Sequence, residues 1–359
     1  MILKRLDTYI IKKFLGTYLF TIVLIISIAV VFDINEKLDK FLSKDAPLKA
    51  IVFDYYLNFI PYFVNLFSQL FTFIAVIFFT SKLADNSEII AMMSSRVSFN
   101  RLMRPYMISA AIIAAGTFLL NSYVIPPANV TRINFEDKYV KPRKTDYGSN
   151  IQIQVEPGVV AYINRYDNTN KTGYRFSLER YEGKTLRSRL TAQTVRYVSD
   201  YTWKIRDYTI RNFDGMHETF FKGAEKDSII PFQPSDFLIS RYDSEQMTTP
   251  KLKEYIDRQK KRGVANITQF EVEYYQRYAM IAASFILTSI GLSLASKKVK
   301  GGMGLHLGLG LLFSFSYIFF MKVSATFAIS GQASPLVAVW IPNILYAIIA
   351  VILYKRAPK

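Results

Sequence analysis

Few residues of this 359-residue chain could carry out covalent or metal-centred chemistry. The sequence has no cysteine, which excludes thiol catalysis, disulfides and cysteine-ligated zinc. With only two histidines, His217 and His306, a histidine-based metal site is not expected. The carboxylates of the central segment are scattered among turn residues and form no paired motif for hydrolysis. We therefore predict a protein that is not an enzyme, with no metal and no cofactor.

Two glycine patterns imitate nucleotide-binding loops. Gly183-Lys184-Thr185 resembles the end of a phosphate-binding loop, but Leu178 stands where that loop requires glycine, and a strand pattern follows. The glycines between positions 301 and 310 follow no strand. Within that apolar run, the four-residue spacing of Gly304 and Gly308 is typical of close packing between membrane helices. If the protein uses ATP, a separate chain must hydrolyse it.

Several basic residues stand at the ends of apolar stretches, where an ionisable side chain is costly and often functional. Cations gathered at one interface would suit an anionic lipid head group. The alternative is that their long side chains extend to phospholipid phosphates without a specific ligand. The candidate head-group ligands are Lys37, Lys40, Lys44, Arg277 and Lys322.

The elements that must position these residues are apolar stretches that approach or exceed the roughly 18–20 residues needed to cross a bilayer. Mean hydropathy is only +0.15, but the clustering of apolar residues excludes a soluble enzyme, a disordered chain and a coiled coil. The six predicted spans cover about 14–32, 57–80, 106–125, 278–295, 305–326 and 336–354.

The net charge of +17 reflects membrane orientation and not nucleic-acid binding. The polar segment 126–250 holds 19 basic and 16 acidic residues, so most of the excess flanks the spans. With six spans, the basic residues of the short connections fall on one side, which predicts cytoplasmic termini and an external 126–250 segment. These residues are Lys4, Arg5, Lys12, Lys13, Lys82, Arg96, Arg101, Arg104, Lys297, Lys298, Lys300, Lys355, Arg356 and Lys359.

The external segment has the pattern of a β domain. Ile151, Ile153 and Val155 alternate with polar residues, and similar alternation recurs between turn-forming clusters at roughly 8–12-residue spacing. Such spacing favours a sandwich or a partial barrel. The predicted domains are therefore 1–125 with three spans, 126–250 with the β fold, and 251–359 with a linker helix and three spans.

A short amphipathic helix is predicted between the second and third spans, at about 85–96. Glu88 lies at its start, where the helix dipole favours a negative charge. Ile89, Met92 and Met93 fall on one face, so the helix either docks on a partner or lies on the bilayer.

These elements, in this order, resemble the LptF/LptG (YjgP/YjgQ) family of lipopolysaccharide-export permeases. The family has three spans, a β domain and three further spans. The short motifs that agree with it are Leu6-Asp7-x-Tyr9-Ile10, Ser87-Glu88-Ile89-Ile90-Ala91-Met92, Arg101-Leu102-x-x-Pro105, Trp203-x-Ile205-x-Asp207 and Glu273-x-x-x-Arg277.

The resemblance implies a permease subunit of an ATP-driven exporter in the bacterial inner membrane. This exporter would extract lipopolysaccharide from the outer leaflet and pass it along a jellyroll-like periplasmic domain. The implied partners are a cytoplasmic ABC ATPase dimer, a second permease subunit (a paralogue or another copy), periplasmic bridge and single-span accessory proteins, and lipopolysaccharide. The segment Glu88–Ser95 would couple to the ATPase, through Glu88, Ile89, Met92 and Met93, and Gly304 and Gly308 would pack between subunits.

Three positions depart from the family's pattern. Arg96 stands where relatives usually have glycine after the coupling helix, and Ile281 stands where a proline often follows the fourth-span arginine. Asp33 replaces a basic residue that contacts lipid phosphate in relatives, so that Lys37 or Lys40 would have to take its place.

The alternative function is a membrane-anchored sensor or assembly scaffold whose external β domain binds a partner. It predicts a cytoplasmic signalling domain, whereas the longest inner segment covers only about 81–105. An enzyme acting on lipids would need facing acids, histidines or serines. A lipoprotein permease would be expected to have four spans.

Overall fold

The computed structural model describes residues 4–141, 148–167, 169–234, 241–261, 267–297 and 302–357. The chain forms two compact units, one mainly helical and one mainly β. The helical unit comprises Met1–Lys141, Glu245–Thr249 and Glu271–Lys359, and the β unit comprises Pro142–Ser244 and Pro250–Phe270. The domain boundaries that the sequence predicts, at residues 126 and 251, stay predictions.

Six helices of the described chain are long and apolar enough to cross a membrane, which confirms the predicted number of spans. In the first half of the chain, α1 (Arg5–Ser43) is followed by α2 (Leu48–Ala50), a π-helical segment (Ile51–Tyr56), α3 (Leu57–Leu66), α4 (Ser68–Asp85), α5 (Glu88–Ser94), α6 (Phe99–Leu119), a second π segment (Leu120–Val124), α7 (Ile125–Phe135) and a third π segment (Glu136–Val140). After the β strands come α8 (Arg241–Glu245), α9 (Thr249–Lys261), α10 (Thr268–Ala295), α11 (Gly302–Ile329) and α12 (Pro335–Arg356).

The third span continues beyond the residue 125 at which its apolar pattern ends. Pro126 and Pro127 lie in the first turn of α7, where the fixed φ of proline suits the helix. The π segment Leu120–Val124 precedes them, so the helical path continues to Val140.

The core of the helical unit is built around α4. In this helix 78% of the apolar window is buried, against 22% in α1 and 28% in α11. The α4 helix packs against both α1 and α11. At Gly310 of α11 an added Cβ would lie 2.6 Å from Cδ1 of Ile77, so glycine permits this close approach. The helices α1 and α11 therefore keep broad apolar surfaces outside the core.

The described residues of the β unit form one antiparallel sheet, which confirms the inserted all-β domain. Its strands pair in sequence order as a meander, each with the next. Trp203 is fully buried, and its indole N–H donates to the carbonyl of Phe232 at 3.0 Å. The strands are β1 (Gly148–Glu156), β2 (Val159–Asp167), β3 (Thr172–Glu182), β4 (Thr185–Ser199), β5 (Thr202–Asp214) and β6 (His217–Ile229).

A transverse row of residues, which we term the crease, crosses all six strands. The row is Asn150, Asn164, Arg175, Gln193, Asp207 and Ala224, each opposite the next in the strand register. At the crease the buried residues of a strand are spaced by three positions instead of two. The spaced pairs are Ile163 and Tyr166, Gly173 and Phe176, Ala192 and Val195, and Ile205 and Tyr208.

On every second strand, the residue in the crease has a left-handed backbone conformation. Asn150 on β1, Arg175 on β3 and Asp207 on β5 have φ values of 54°, 51° and 50°. This conformation is sterically unfavourable for residues with a Cβ, and Asn and Asp tolerate it best. The positive φ at Asp207 gives a physical reason for an acidic residue at the end of the motif Trp203-x-Ile205-x-Asp207.

Candidate functional site

Three of the short sequence motifs meet at the amino-terminal end of α1. Asp7 lies in the first turn of α1, and both of its carboxylate oxygens accept hydrogen bonds from Arg101 of α6, at 2.6 and 2.7 Å. Its Oδ2 also accepts the backbone N–H of Lys4 at 2.9 Å, which caps the helix. Asp7 is buried, so this bidentate pair fixes the start of α1 against α6.

The same end of α1 also contacts α5. The phenol of Tyr9 donates to Oε2 of Glu88 at 3.1 Å, and Asn86 donates to Oε1 of Glu88 at 3.4 Å. We refer to Asp7, Tyr9, Glu88 and Arg101 as the amino-terminal clamp. It joins the start of α1 to two segments that lie 79 and 94 residues further along the chain.

The apolar face of α5 is directed toward the chain's own core. Ile89 is 1% exposed, and Met92 and Met93 pack against the same core cluster. Ile90, which the sequence pattern did not single out, is 53% exposed. The side chains of α5 that remain available to a partner therefore include Ile90 and part of Glu88.

Left-handed residues stand on both sides of α5. Ser87 precedes it with a φ of 60°, and Arg96 follows it with a φ of 61°. After the helix, the N–H of Arg96 donates to Met93 O at 3.0 Å and that of Val97 to Met92 O at 3.2 Å. This is the Schellman arrangement, in which the left-handed position is usually glycine. The backbone at Arg96 is therefore one that glycine would adopt without steric cost.

Lys37, one of the candidate head-group ligands, is held in an aromatic and acidic environment. Its Nζ lies 2.6 Å from Oδ1 of Asp33 and 4.6 Å from the ring centre of Tyr55, and it also contacts the Tyr55 hydroxyl. Tyr56 donates to Asp33 Oδ2 at 3.1 Å. The Lys37 and Asp33 side chains are only 15% and 13% exposed, so the charge of Lys37 is balanced within the chain.

Arg277 is likewise paired. It is 1% exposed, its Nε lies 3.1 Å from Glu273 Oε1, and its Nη1 donates to the hydroxyl of Thr249 at 2.9 Å. These contacts account for the motif Glu273-x-x-x-Arg277 as a buried pair one helical turn apart.

The remaining candidate cations lie at the surface of the helical unit. Lys40 lies on the same face of α1 as Lys37, three residues later, and Lys44 directly follows the end of α1. Lys40 is exposed, and Lys44 donates to the carbonyl of Lys138 at 3.5 Å. Lys322 is exposed on α11. Lys37 and Arg277 are therefore buried or half-buried beside a carboxylate of the chain, whereas Lys40, Lys44 and Lys322 are exposed.

Gly304 and Gly308 face outward from α11, and no described atom would lie within 4 Å of a Cβ added at either position. Lys322 follows Gly304 by 18 residues, which is about five turns at 3.6 residues per turn. The glycines and Lys322 therefore share one exposed face of α11, together with the exposed side chain of Phe315.

The sequence reading missed the buried cation Arg132. It pairs with Glu136 at 2.8 Å, donates from Nε and Nη2 to Oδ1 of Asn129 at 3.2 Å each, and stacks 4.3 Å from the ring centre of Tyr62. The i, i+4 spacing of Arg132 and Glu136 is the signal that could have found it.

A model of the family described as "Lipopolysaccharide export system permease LptF/LptG" matches residues 8–356 of the 359. The chain belongs to the LptF/LptG family. None of the curated proteins compared with it matches.

LptF/LptG membership makes this chain a transport subunit for lipopolysaccharide export, and its six apolar helices agree with a multi-pass inner-membrane permease. In the described residues no three His, Asp or Glu side chains gather where they could hold a metal ion. The triplet Gly183-Lys184-Thr185 lies at the tight turn between β3 and β4, with Gly183 at a φ of 62°. The turn between β3 and β4 therefore does not have the strand–loop–helix arrangement of a phosphate-binding loop.

Proposed function

We propose that this chain is the permease subunit of an ATP-driven exporter that extracts lipopolysaccharide from the outer leaflet of the inner membrane. The observation that carries the proposal is the family match over residues 8–356, together with a clamp that joins α5 to the first span. Both termini lie in the cytoplasm and the β unit in the periplasm, as the distribution of Lys and Arg indicates.

The ATPase partner is a cytoplasmic ABC-type dimer that binds α5. Glu88 pairs with a basic residue of that dimer, and the exposed side chain of Ile90 offers an apolar contact beside it. Ile89, Met92 and Met93 do not need to touch the partner. Because they pack into the core of the helical unit, they pass a displacement of α5 to the bundle.

The second permease subunit, a paralogue or another copy, packs on the face of α11 that carries Gly304 and Gly308. Small residues allow helix backbones to approach closely in a bilayer. Lys322 lies on that same face, so a cavity between the two subunits would place this cation toward the lipid phosphates. Lys40 of α1 and Lys44, which directly follows it, are further exposed cations of the helical unit that could contact the lipid phosphates.

Lys37 and Arg277 contribute differently, since each already has an acidic partner. They set the local structure around the head-group site, with Asp33 and Glu273 as their counter-ions. Direct binding of a phosphate by either residue would require release of that carboxylate.

The β unit passes acyl chains along its apolar face to a periplasmic bridge protein, with single-span accessory proteins at the same assembly. That face is lined by large buried side chains, including Trp203, Phe176 and Ile205. The exposed side chains of β6, among them Phe220 and Phe221, border an unpaired strand edge of the described sheet.

The deciding experiment is purification of tagged chain from native membranes in mild detergent, with mass spectrometry and an ATPase assay with and without lipopolysaccharide. We expect an ABC-type ATPase to copurify and its turnover to respond to the lipid. A chain that purifies without an ATPase would overturn the proposal and would favour a sensor or scaffold whose β unit binds a partner.

A further inference from the structure

Tyr9 is the member of the amino-terminal clamp that links α1 to α5 through a side-chain hydrogen bond, and the proposed function assigns no individual task to it. Its phenol donates to Glu88 at 3.1 Å, and Glu88 is the residue proposed to meet the ATPase. Two residues earlier, Asp7 binds Arg101 of α6 through two short hydrogen bonds. The start of α1 is therefore tied both to α5 and to the helix that follows α5.

The α1 helix is suited to carry a displacement across the bilayer. It is continuous from Arg5 to Ser43 and contains no proline. Tyr9 and Asp33 are 24 residues apart, which corresponds to roughly 36 Å at 1.5 Å per residue, more than the hydrocarbon thickness. At the far end, Asp33 and Lys37 fasten α1 to Tyr55 and Tyr56.

Between these two attachments α1 packs on the core along one face, through Ile10, Phe14 and Tyr18, and leaves its other side uncovered. Only 22% of its apolar window is buried, and side chains such as Phe20 and Val23 are more than 60% exposed. Movement of α5 would therefore reach α1 by two routes, directly through the clamp and indirectly through α4, against which both helices pack.

We propose that Tyr9 is a positioning residue of the exporter. Its hydroxyl holds the Glu88 carboxylate toward the ATPase and transmits the displacement of α5 to α1, so that nucleotide-driven movement shifts the helix beside the lipid. This inference rests on the proposed function, because it requires an ATPase bound at α5.

The test compares Tyr9→Phe with the unchanged complex, purified with its ATPase and reconstituted into vesicles containing lipopolysaccharide. The variant removes one hydroxyl and retains the ring. We expect ATPase copurification and basal turnover within twofold of the unchanged complex, and a fall of at least threefold in lipopolysaccharide extracted per ATP hydrolysed. Tyr123→Phe is the matched control, since Tyr123 is 53% exposed on the same unit, and it should leave that ratio unchanged.

A second comparison separates positioning from a general loss of structure. In a Glu88→Ala background, Tyr9→Phe should lower extraction per ATP by no further amount, because the hydrogen bond is already absent. Equal and independent losses in the two backgrounds would overturn the role of Tyr9, as would a Tyr9→Phe complex with an unchanged ratio. Absence of any ATPase from the unchanged complex would instead overturn the proposed function, and this inference with it.

Discussion

At the scale of single residues, the charged side chains buried in the helical unit lie beside an oppositely charged partner. Asp33 with Lys37, Arg132 with Glu136, and Glu273 with Arg277 are each four residues apart on one helix. An unpaired buried charge is strongly destabilising, whereas a pair with further hydrogen bonds is tolerated. Among the candidate head-group residues, Lys37 and Arg277 therefore have a structural role within the helical unit.

Lys37 and Lys322 should consequently respond differently to alanine. Lys322→Ala should reduce stimulation of ATP hydrolysis by lipopolysaccharide and leave the melting temperature unchanged, because the side chain is exposed. Lys37→Ala should destabilise the protein by up to about 3 kcal/mol, because it leaves Asp33 unpaired. Thermal unfolding and ATPase assays on both variants make the comparison; unchanged lipid stimulation in Lys322→Ala would show that this lysine only reaches bulk phospholipid.

Glu88→Ala should uncouple ATP hydrolysis from transport without unfolding the bundle. A charge near the start of a helix contributes only about 0.3–1 kcal/mol to stability. Asp85→Ala, at an exposed acid three residues earlier, is the matched control. Lipid extraction and ATP turnover are measured in parallel, and normal extraction by Glu88→Ala would contradict the coupling role.

Arg96→Gly should stabilise the turn after α5. A residue with a Cβ pays roughly 1–2 kcal/mol in the left-handed conformation, and glycine avoids most of that cost. The expected gain is about 1 kcal/mol, less the favourable interaction of Arg96 with the helix carboxyl end. Differential scanning calorimetry of the purified variant should show a higher melting temperature. A lower melting temperature would mean that the interactions of the Arg96 side chain stabilise the protein by more than its left-handed backbone destabilises it.

At the scale of elements, the crease determines the form of the β unit. Six strands in simple hairpin order would build a continuous pleated sheet, but the change of spacing at one transverse row lets buried side chains on both sides of it face one core. The cost is backbone strain at Asn150, Arg175 and Asp207.

Substitutions at Arg175 test that cost. Arg175→Gly should be neutral or stabilising, whereas Arg175→Val should destabilise β3 by about 1–2 kcal/mol or more, since a β-branched side chain fits the left-handed region worst. Hydrogen exchange of the full chain, followed by mass spectrometry, would report protection of the β2, β3 and β4 amides. Equal protection in both variants would show that the backbone at Arg175 relaxes.

At the scale of the whole molecule, the chain leaves apolar helix faces uncovered while its central helix is buried. The face of α11 with Gly304 and Gly308 is open, whereas Gly291 and Gly310 approach α4 within the chain. These two sets of glycines should therefore have different roles, one between subunits and one inside the fold.

Gly308→Leu should weaken association with the second permease subunit and leave the fold of this chain intact, because no described atom lies in its way. Gly291→Ala should instead destabilise the chain, since the added Cβ would overlap Cγ1 of Val76. Subunit stoichiometry in the purified complex and thermal unfolding distinguish the two effects. Undiminished pairing of Gly308→Leu would remove this face from the proposed interface.

The sequence by itself determined the features that depend on local pattern. Hydropathy over about 20 residues identified the six spans, and alternation of period two identified the β domain, because bilayer thickness and strand pleating act on neighbouring residues. The motif order indicated the family that the match over residues 8–356 confirms.

Only the tertiary structure decided which distant residues meet. Amphipathicity placed Ile89 on a face of α5 but could not say that this face turns inward and leaves Ile90 exposed. Likewise, Asp7 and Arg101 are 94 residues apart, and Tyr9 and Glu88 are 79 apart. Such pairs depend on how the helices pack, which local periodicity does not encode, and so the clamp and the crease came from the fold.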